Sequence, residues 1–356
     1  MIDLLKKLIT YKSDTPTVAN EALQFCAQWL EQQGIDVNLH QNNGLDILTA
    51  EIGQGADCLI WNGHVDVVPA AIEQYTPFVD GDLLYGRGAA DMKAGVAAMM
   101  FSFVELSKSA DKLPRRLQLH LVTDEETGGE NTSGWLARNG FNGQFVICGE
   151  PTQLQIGLQA KGILQFEIQF KGKASHGSRP WEGLNAVLQA MHFHSKLLES
   201  PITNAHNTFY DSPSINLATI QAGERFNVVP DQCNVRYDIR YVPGQSVDFI
   251  LHDIQKILDA EKIQAEIIIH SIAPAVTTSA DDPFVLSLLK TTAAVCDKQA
   301  TLFGQHGSAD TRFYAADGVG AIEFGPTGAD WHGPAEYVSI SSVYLYANII
   351  KAHALS

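Results

Sequence analysis

Strand-like and helix-like segments alternate along the chain as far as Glu150, and then their order changes. Thr17 to Gln33 has helical spacing, with Gly34 as its C-cap. "CLIWNGHVDVV" (Cys58–Val68) reads as a strand, and "DMKAGVAAMMFSFVELSK" as a helix with Asp91 at its N-cap. "RRLQLHLVT" (Arg115–Thr123) alternates strictly, as a half-buried strand does, and "QFVICGE" (Gln144–Glu150) is a short buried strand. This rhythm predicts an α/β domain with a mixed, largely parallel sheet. From "ILQFEIQFKGK" (Ile163–Lys173) to "AEIIIHSI" (Ala265–Ile272) the order becomes β-α-β-β-α-β, a ferredoxin-like arrangement. The expected organisation is therefore one domain from 1–160 and 273–356, with a second, 161–272, inserted into it.

The chain has 356 residues, enough for one large or two medium domains with an ample core. Its net charge is −16, from 24 basic and 40 acidic residues. That balance argues against nucleic acid and anionic membranes as partners and suits a protein that binds cations. The start, "MIDLLKKLITYKSDTPT", lacks the apolar core of a signal peptide, and no run approaches a membrane span. Five well-separated cysteines without a C-x-x-C pair point to buried thiols in a reducing compartment, so the expected location is cytoplasmic.

Five motifs concentrate metal-binding chemistry. In "NGHVDVVP", His64 and Asp66 are two apart on the expected strand and share a face, so the acid can orient the imidazole. "YGRGAADMKAG" brings Asp91 to a helix start; an acid at the third glycine position excludes a dinucleotide fingerprint. "TDEETGGE" puts Asp124, Glu125 and Glu126 together, where they repel unless positive charge lies among them. "CGEPT" ends a strand at Glu150, and "DWHGPAEY" sets His332 in a Gly/Pro-rich loop. Taken singly, each has a bland reading: a strand-end histidine, a helix cap, a solvated acidic turn. Together they place His64, Asp91, Glu125, Glu126 and Glu150 at the carboxyl ends of strands, where ligands gather in parallel sheets. Two imidazoles with several carboxylates suit zinc, or cobalt and manganese as substitutes. Charge balance favours two divalent ions, with Glu125 left over as a base.

The ordered series "GHVDVVP", "GRGAADMKAG", "TDEETGG", "CGEPT", "KGKASHGS", "NVVPD" and "GPAE" resembles the M20 family of metallohydrolases, within it the acetylornithine deacetylase and succinyl-diaminopimelate desuccinylase branch. The resemblance implies a zinc-hydrolase catalytic domain with an inserted lid and dimerisation domain. It implies His64, Asp91 and Glu150 as ligands of one metal, and Asp91, Glu126 and His332 as ligands of the other. It further implies Glu125 as general base for the activated water, Asp66 as the partner of His64, and a cis peptide after Asp91. In the inserted domain it implies that His176 assists the oxyanion and that Asn227 and Arg240 lie near a substrate carboxylate. Arg312 in "GSADTRF" resembles a desuccinylase segment and is a second carboxylate-binding candidate.

One departure bears on substrate: Ala160, Lys161 and Gly162 stand where desuccinylases usually carry an arginine pair. The expectation is an amidohydrolase that removes an acetyl or succinyl group from an N-acyl amino acid. A dipeptidase or aminopeptidase of the same family is the alternative. A silent, metal-stabilised binding protein and a single-metal enzyme are further rivals.

Overall fold

The computed structural model describes residues 1–315 and 318–356. The chain divides into two compact units, one of 1–158, 277–303 and 309–356, the other of 159–276 and 304–308.

The first unit opens with α1 (Ile2–Ile9), α2 (Pro16–Gln32), β1 (Val37–Asn42), β2 (Leu45–Ile52) and β3 (Cys58–His64). Pro16 sits at the first helical position of α2, where its missing N–H costs nothing. There follow β4 (Phe78–Asp80), β5 (Leu83–Tyr85), α3 (Ala94–Ser107), β6 (Arg116–Val122), α4 (Ser133–Arg138), β7 (Phe145–Cys148) and β8 (Ile156–Ala160). The second unit holds β9 (Gly162–Lys171), α5 (Ala186–Leu198), β10 (Ser214–Ala222), β11 (Gln232–Tyr241), α6 (Val247–Ala260) and β12 (Ala265–Ala273). The chain ends with β13 (Val276–Thr277), α7 (Pro283–Cys296), β14 (Leu302–Gln305), α8 (Thr311–Ala315), β15 (Gly320–Glu323), β16 (Gly328–Ala329), β17 (Tyr337–Ser339) and α9 (Ile340–Ala354).

The large sheet of the described residues runs β1-β2-β6-β3-β7-β15-β8-β13, with β14 beside β8. Its centre, β6-β3-β7-β15, is parallel, and antiparallel pairs flank it. Every residue of β3 is buried, as expected for a central strand covered on both faces. A smaller antiparallel sheet, β16-β17-β5-β4, sets the chain after β5 beside the chain before β17.

The second unit is a four-stranded antiparallel sheet, β10-β11-β9-β12, with α5 and α6 packed on it. Phe166, Phe170, Phe193 and Tyr237 lie at the centre of its core. Asn185 and Ser246 cap α5 and α6, their side chains accepting from Val187 N–H and Phe249 N–H.

Two local expectations fail. β3 stops at His64, so Asp66 lies beyond the strand. Asp91 does not cap α3: its backbone is non-helical (φ −111°, ψ 98°), the Asp91–Met92 peptide is cis, and α3 begins only at Ala94. Asp91 therefore belongs to a distorted turn and not to a strand end.

Candidate metal centre

His64 is the last residue of β3 and is buried. Its Nδ1 bonds to the backbone carbonyl of Asp66 at 3.0 Å, while Asp66 Oδ1 stands 3.5 Å away. The peptide oxygen, more than the expected carboxylate, thus holds the ring and presents Nε2 outward. Asp66 Oδ2 instead accepts from Glu126 N–H at 2.9 Å, tying the end of β3 to the turn after β6.

His64 Nε2 lies 3.2 Å from Asp91 Oδ1 and 3.7 Å from Glu150 Oε1. His332 Nε2 lies 3.3 Å from Asp91 Oδ2 and 3.2 Å from Glu126 Oε2. In a tetrahedral zinc site with bonds of about 2.0–2.1 Å, neighbouring donors sit about 3.3 Å apart. Both groupings match that spacing, and the two oxygens of Asp91 face different imidazoles, as a bridging ligand requires. The donor atoms of His64, Asp91 and Glu126 also fall within 4.8 Å of one another. The tighter approach of Glu126 to His332 pairs it with that histidine.

The electrostatics fit cations too. Burial, then repulsion from Asp91, raises Glu126 to about 7 and pushes Glu150 well above the usual carboxylate range. Glu125 is likewise raised by burial, with Asp310, Asp91 and Asp66 adding to the shift and His64 opposing it. Burial acts to raise Asp91 as well, but its hydrogen bonds to His332 and His64 outweigh this and hold it down. For His64, burial opposes the charge, yet hydrogen bonds to Asp66 and Asp91 raise it; His332 is raised mainly by Asp91. A set of acids that repel this strongly is relieved by divalent cations.

Glu125 and Glu126 are chain neighbours in one turn, but only Glu126 reaches His332; Glu125 Oε2 stands 4.0 Å from His64 Nε2. Asp124, expected to share in the same charge cluster, turns away. It accepts from Thr132 Oγ1 and from Asn131 N–H at 3.0 Å, so it shapes the following loop. Arg312 is buried, donates through Nη2 to the Gly128 carbonyl at 2.6 Å, and lies over the Phe313 ring. In the second unit His176 and Asn227 are adjacent: Gly177 N–H donates to Asn227 O at 2.8 Å, and His176 pairs with Val228. Ser178 N–H donates to His176 Nδ1 at 3.2 Å, which leaves Nε2 as the protonated nitrogen. Arg240 forks onto its neighbour Asp238 at 2.8 and 3.0 Å. Lys161 Nζ donates to the Ser212 carbonyl at 2.7 Å.

Three buried residues near the site were not singled out from the sequence. Glu336 accepts from four N–H groups, Arg87 bonds to it, and Asp310 accepts from Ser133 Oγ at 2.6 Å. Glu336 closes the "GPAE" segment and Arg87 lies in "GRGAADMKAG", so the available signal was their place in those motifs.

No helix among the described residues is long and apolar enough to cross a membrane. The chain resembles a succinyl-diaminopimelate desuccinylase of Alkalilimnicola ehrlichii, 26% identical over 98% of this chain and 97% of that protein. It resembles one of Wolbachia pipientis at 27% identity, over 98% of this chain and 91% of that protein. Aminopeptidase PepT from Bacillus cereus has a similar structure, with a TM-score of 0.85 at 16% identity, covering 99% of this chain and 97% of that one. Residues 60–356 match peptidase family M20/M25/M40, and the chain belongs to that family as a metallohydrolase of amide bonds.

Proposed function

We propose that this chain removes an acetyl or succinyl group from an N-acyl amino acid, using two divalent ions held by His64, Asp91, Glu126, Glu150 and His332. The observation that carries the substrate class is the similarity to two desuccinylases over nearly the full length of each. Zinc suits the imidazole and carboxylate donors, with cobalt or manganese as substitutes.

Bound divalent ions supply Lewis acidity, polarising the scissile carbonyl and easing deprotonation of the attacking water. Glu125 takes that proton, and the carboxyl so formed delivers it to the leaving amine nitrogen as the C–N bond breaks. Its buried surroundings raise its proton affinity toward the range a general base needs. Asp66 fixes the backbone of Glu126 and so orients the Glu125–Glu126 turn. We assign to His176 Nε2–H a hydrogen bond to the developing oxyanion. Asn227 and Arg240 are assigned to the substrate carboxylate; Arg240 must then exchange or share its bond with Asp238. We read Arg312 as holding the base-bearing turn through Gly128 rather than as a carboxylate ligand. A homodimer formed through the second unit and a cytoplasmic location complete the reading.

The second reading is a dipeptidase or aminopeptidase acting at the same site. The similarity in fold to an aminopeptidase keeps it open. The deciding experiment is hydrolysis by zinc-loaded protein of N-acetylornithine, N-succinyl-diaminopimelate, other N-acetyl amino acids and free-amino dipeptides. Preference for an N-acyl substrate supports deacylation, and preference for dipeptides overturns it in favour of the second reading.

A further inference from the structure

Glu336 is buried and lies outside the ligand set, yet four N–H donors converge on its carboxylate. Oε1 accepts from the backbone N–H of Ala90 at 2.9 Å and of Asp91 at 3.0 Å. Oε2 accepts from Gly88 N–H at 2.9 Å and from Arg87 Nη1 at 2.7 Å. Arg87 is buried as well, and its Nη2 donates to the carbonyl of Gly333 at 3.1 Å, the residue after His332. Gln74 Nε2 donates to that same carbonyl at 3.0 Å, and Gln74 O accepts from Arg87 N–H at 2.8 Å. The small sheet explains the meeting: Tyr85 pairs with Tyr337, which sets residues 86–91 alongside residue 336.

A buried carboxylate is costly unless its oxygens are satisfied and its charge is paired, and here both conditions hold. The placement of the bonds gives them a function. One falls on the peptide N–H of Asp91, whose two oxygens face the two imidazoles. The arginine that balances the charge grips the residue beside His332. The backbone of Asp91 is non-helical, and that of His332 is left-handed (φ +58°), so neither conformation is held by regular secondary structure. We infer that Glu336 and Arg87 form a brace of positioning residues that sets Asp91 and His332 at ligand spacing. Neither touches cation or substrate in this role; the brace acts by pre-organising the donors. The inference rests on the metal-site reading above.

The test is a zinc titration of metal-free wild type and Glu336→Gln against a chromophoric chelator. It is run at a temperature where circular dichroism finds both proteins folded. The amide offers one acceptor and turns an NH2 toward groups that are themselves donors, so zinc affinity should fall about 10–100-fold. Excess zinc should then return kcat toward wild type with KM unchanged. Arg87→Lys keeps the charge but cannot fork to Glu336 and Gly333 together, and should weaken zinc binding in the same direction. Wild-type zinc affinity in folded Glu336→Gln overturns the brace, whatever the change in thermal stability. Should Glu336→Gln not fold, Arg87→Lys decides by the same titration: weaker zinc binding supports the brace and unchanged binding overturns it. A wild-type chain that takes up no zinc overturns the metal site itself, a result distinct from failure of the brace.

Discussion

Arg312 reaches back to the turn that carries Glu125: its Nη2 donates to the Gly128 carbonyl oxygen at 2.6 Å. Gly128 N–H in turn donates to Glu125 O at 2.8 Å, so the guanidinium is one bond removed from the backbone of Glu125, the proposed base. Arg312→Lys should lower kcat about tenfold and leave KM within about twofold, because small displacements of a catalytic group act on turnover. Steady-state kinetics on the preferred substrate checks this. A rise in KM at constant kcat would instead return Arg312 to carboxylate binding.

Glu125 stands 4.0 Å from His64 Nε2 and does not approach His332 as Glu126 does. Glu125→Gln removes the proton acceptor while keeping the shape of the side chain. The variant should fold, hold wild-type zinc, and lose about 10²–10⁴ in kcat. Metal analysis alongside kinetics separates the roles: loss of zinc in step with loss of rate would make Glu125 a ligand.

How much of this was legible in the sequence depends on distance along the chain. His64, Glu125, Glu126 and Glu150 follow or end short apolar runs, and a parallel sheet brings such ends together, so periodicity alone brought them close. Asp91 was expected as a helix cap, where an acid is ordinary, and the distorted turn that holds it instead has no periodic signature. Asp124 shares its charge with Glu125 and Glu126, yet one residue of backbone rotation sends it to Thr132 and Asn131. Glu336 and Arg87 meet only because β5 pairs with β17, and no local pattern records a contact across that separation.

His120 and His353 should make the fold sensitive to acid. Burial lowers His120 from 6.5 to about 3 and His353 from 6.5 to about 4. Nε2–H of His120 donates to Gln118 Oε1 at 2.9 Å, leaving Nδ1 to accept from the Tyr314 hydroxyl at 3.0 Å. The neutral ring is thus fully used. Nε2–H of His353 donates to Phe284 O at 3.1 Å, and its Nδ1 is buried without a partner among the described residues. Below the ordinary value the unfolded chain binds protons that the folded chain refuses, so each ring's contribution to stability falls as pH drops. For His353 the window runs from about 6.5 to about 4. Denaturant unfolding of wild type and His353→Gln across that window should differ in slope by up to about 1.4 kcal/mol per pH unit. The acids of the metal centre are common to both proteins and cancel in the comparison. Parallel curves would show that His353 binds protons in the folded chain as readily as in the unfolded one, contrary to this expectation.

Gly95, at the start of α3, lies against the carbonyl of Gly149, the residue before Glu150. A Cβ there would stand 2.2 Å from that oxygen and 3.0 Å from its carbon. The Met92 side chain, 3.2 Å away, can give, but the nearest atom is a backbone oxygen, so Gly95→Ala must push α3 away from the segment after β7. Overpacking of this kind costs about 1–3 kcal/mol. The displacement also has a direction. Asp91 lies just before α3 and Glu150 just after Gly149, so the ligands facing His64 would separate. Gly95→Ala should therefore lower the unfolding midpoint of the metal-free chain and, where still folded, weaken zinc binding. Binding should suffer most at the site proposed for His64, Asp91 and Glu150. Two equally weakened zinc steps would mean that the strain spreads through Asp91 to both positions. Unchanged stability would show that the helix start shifts without cost, contrary to the close packing seen between Gly95 and Gly149.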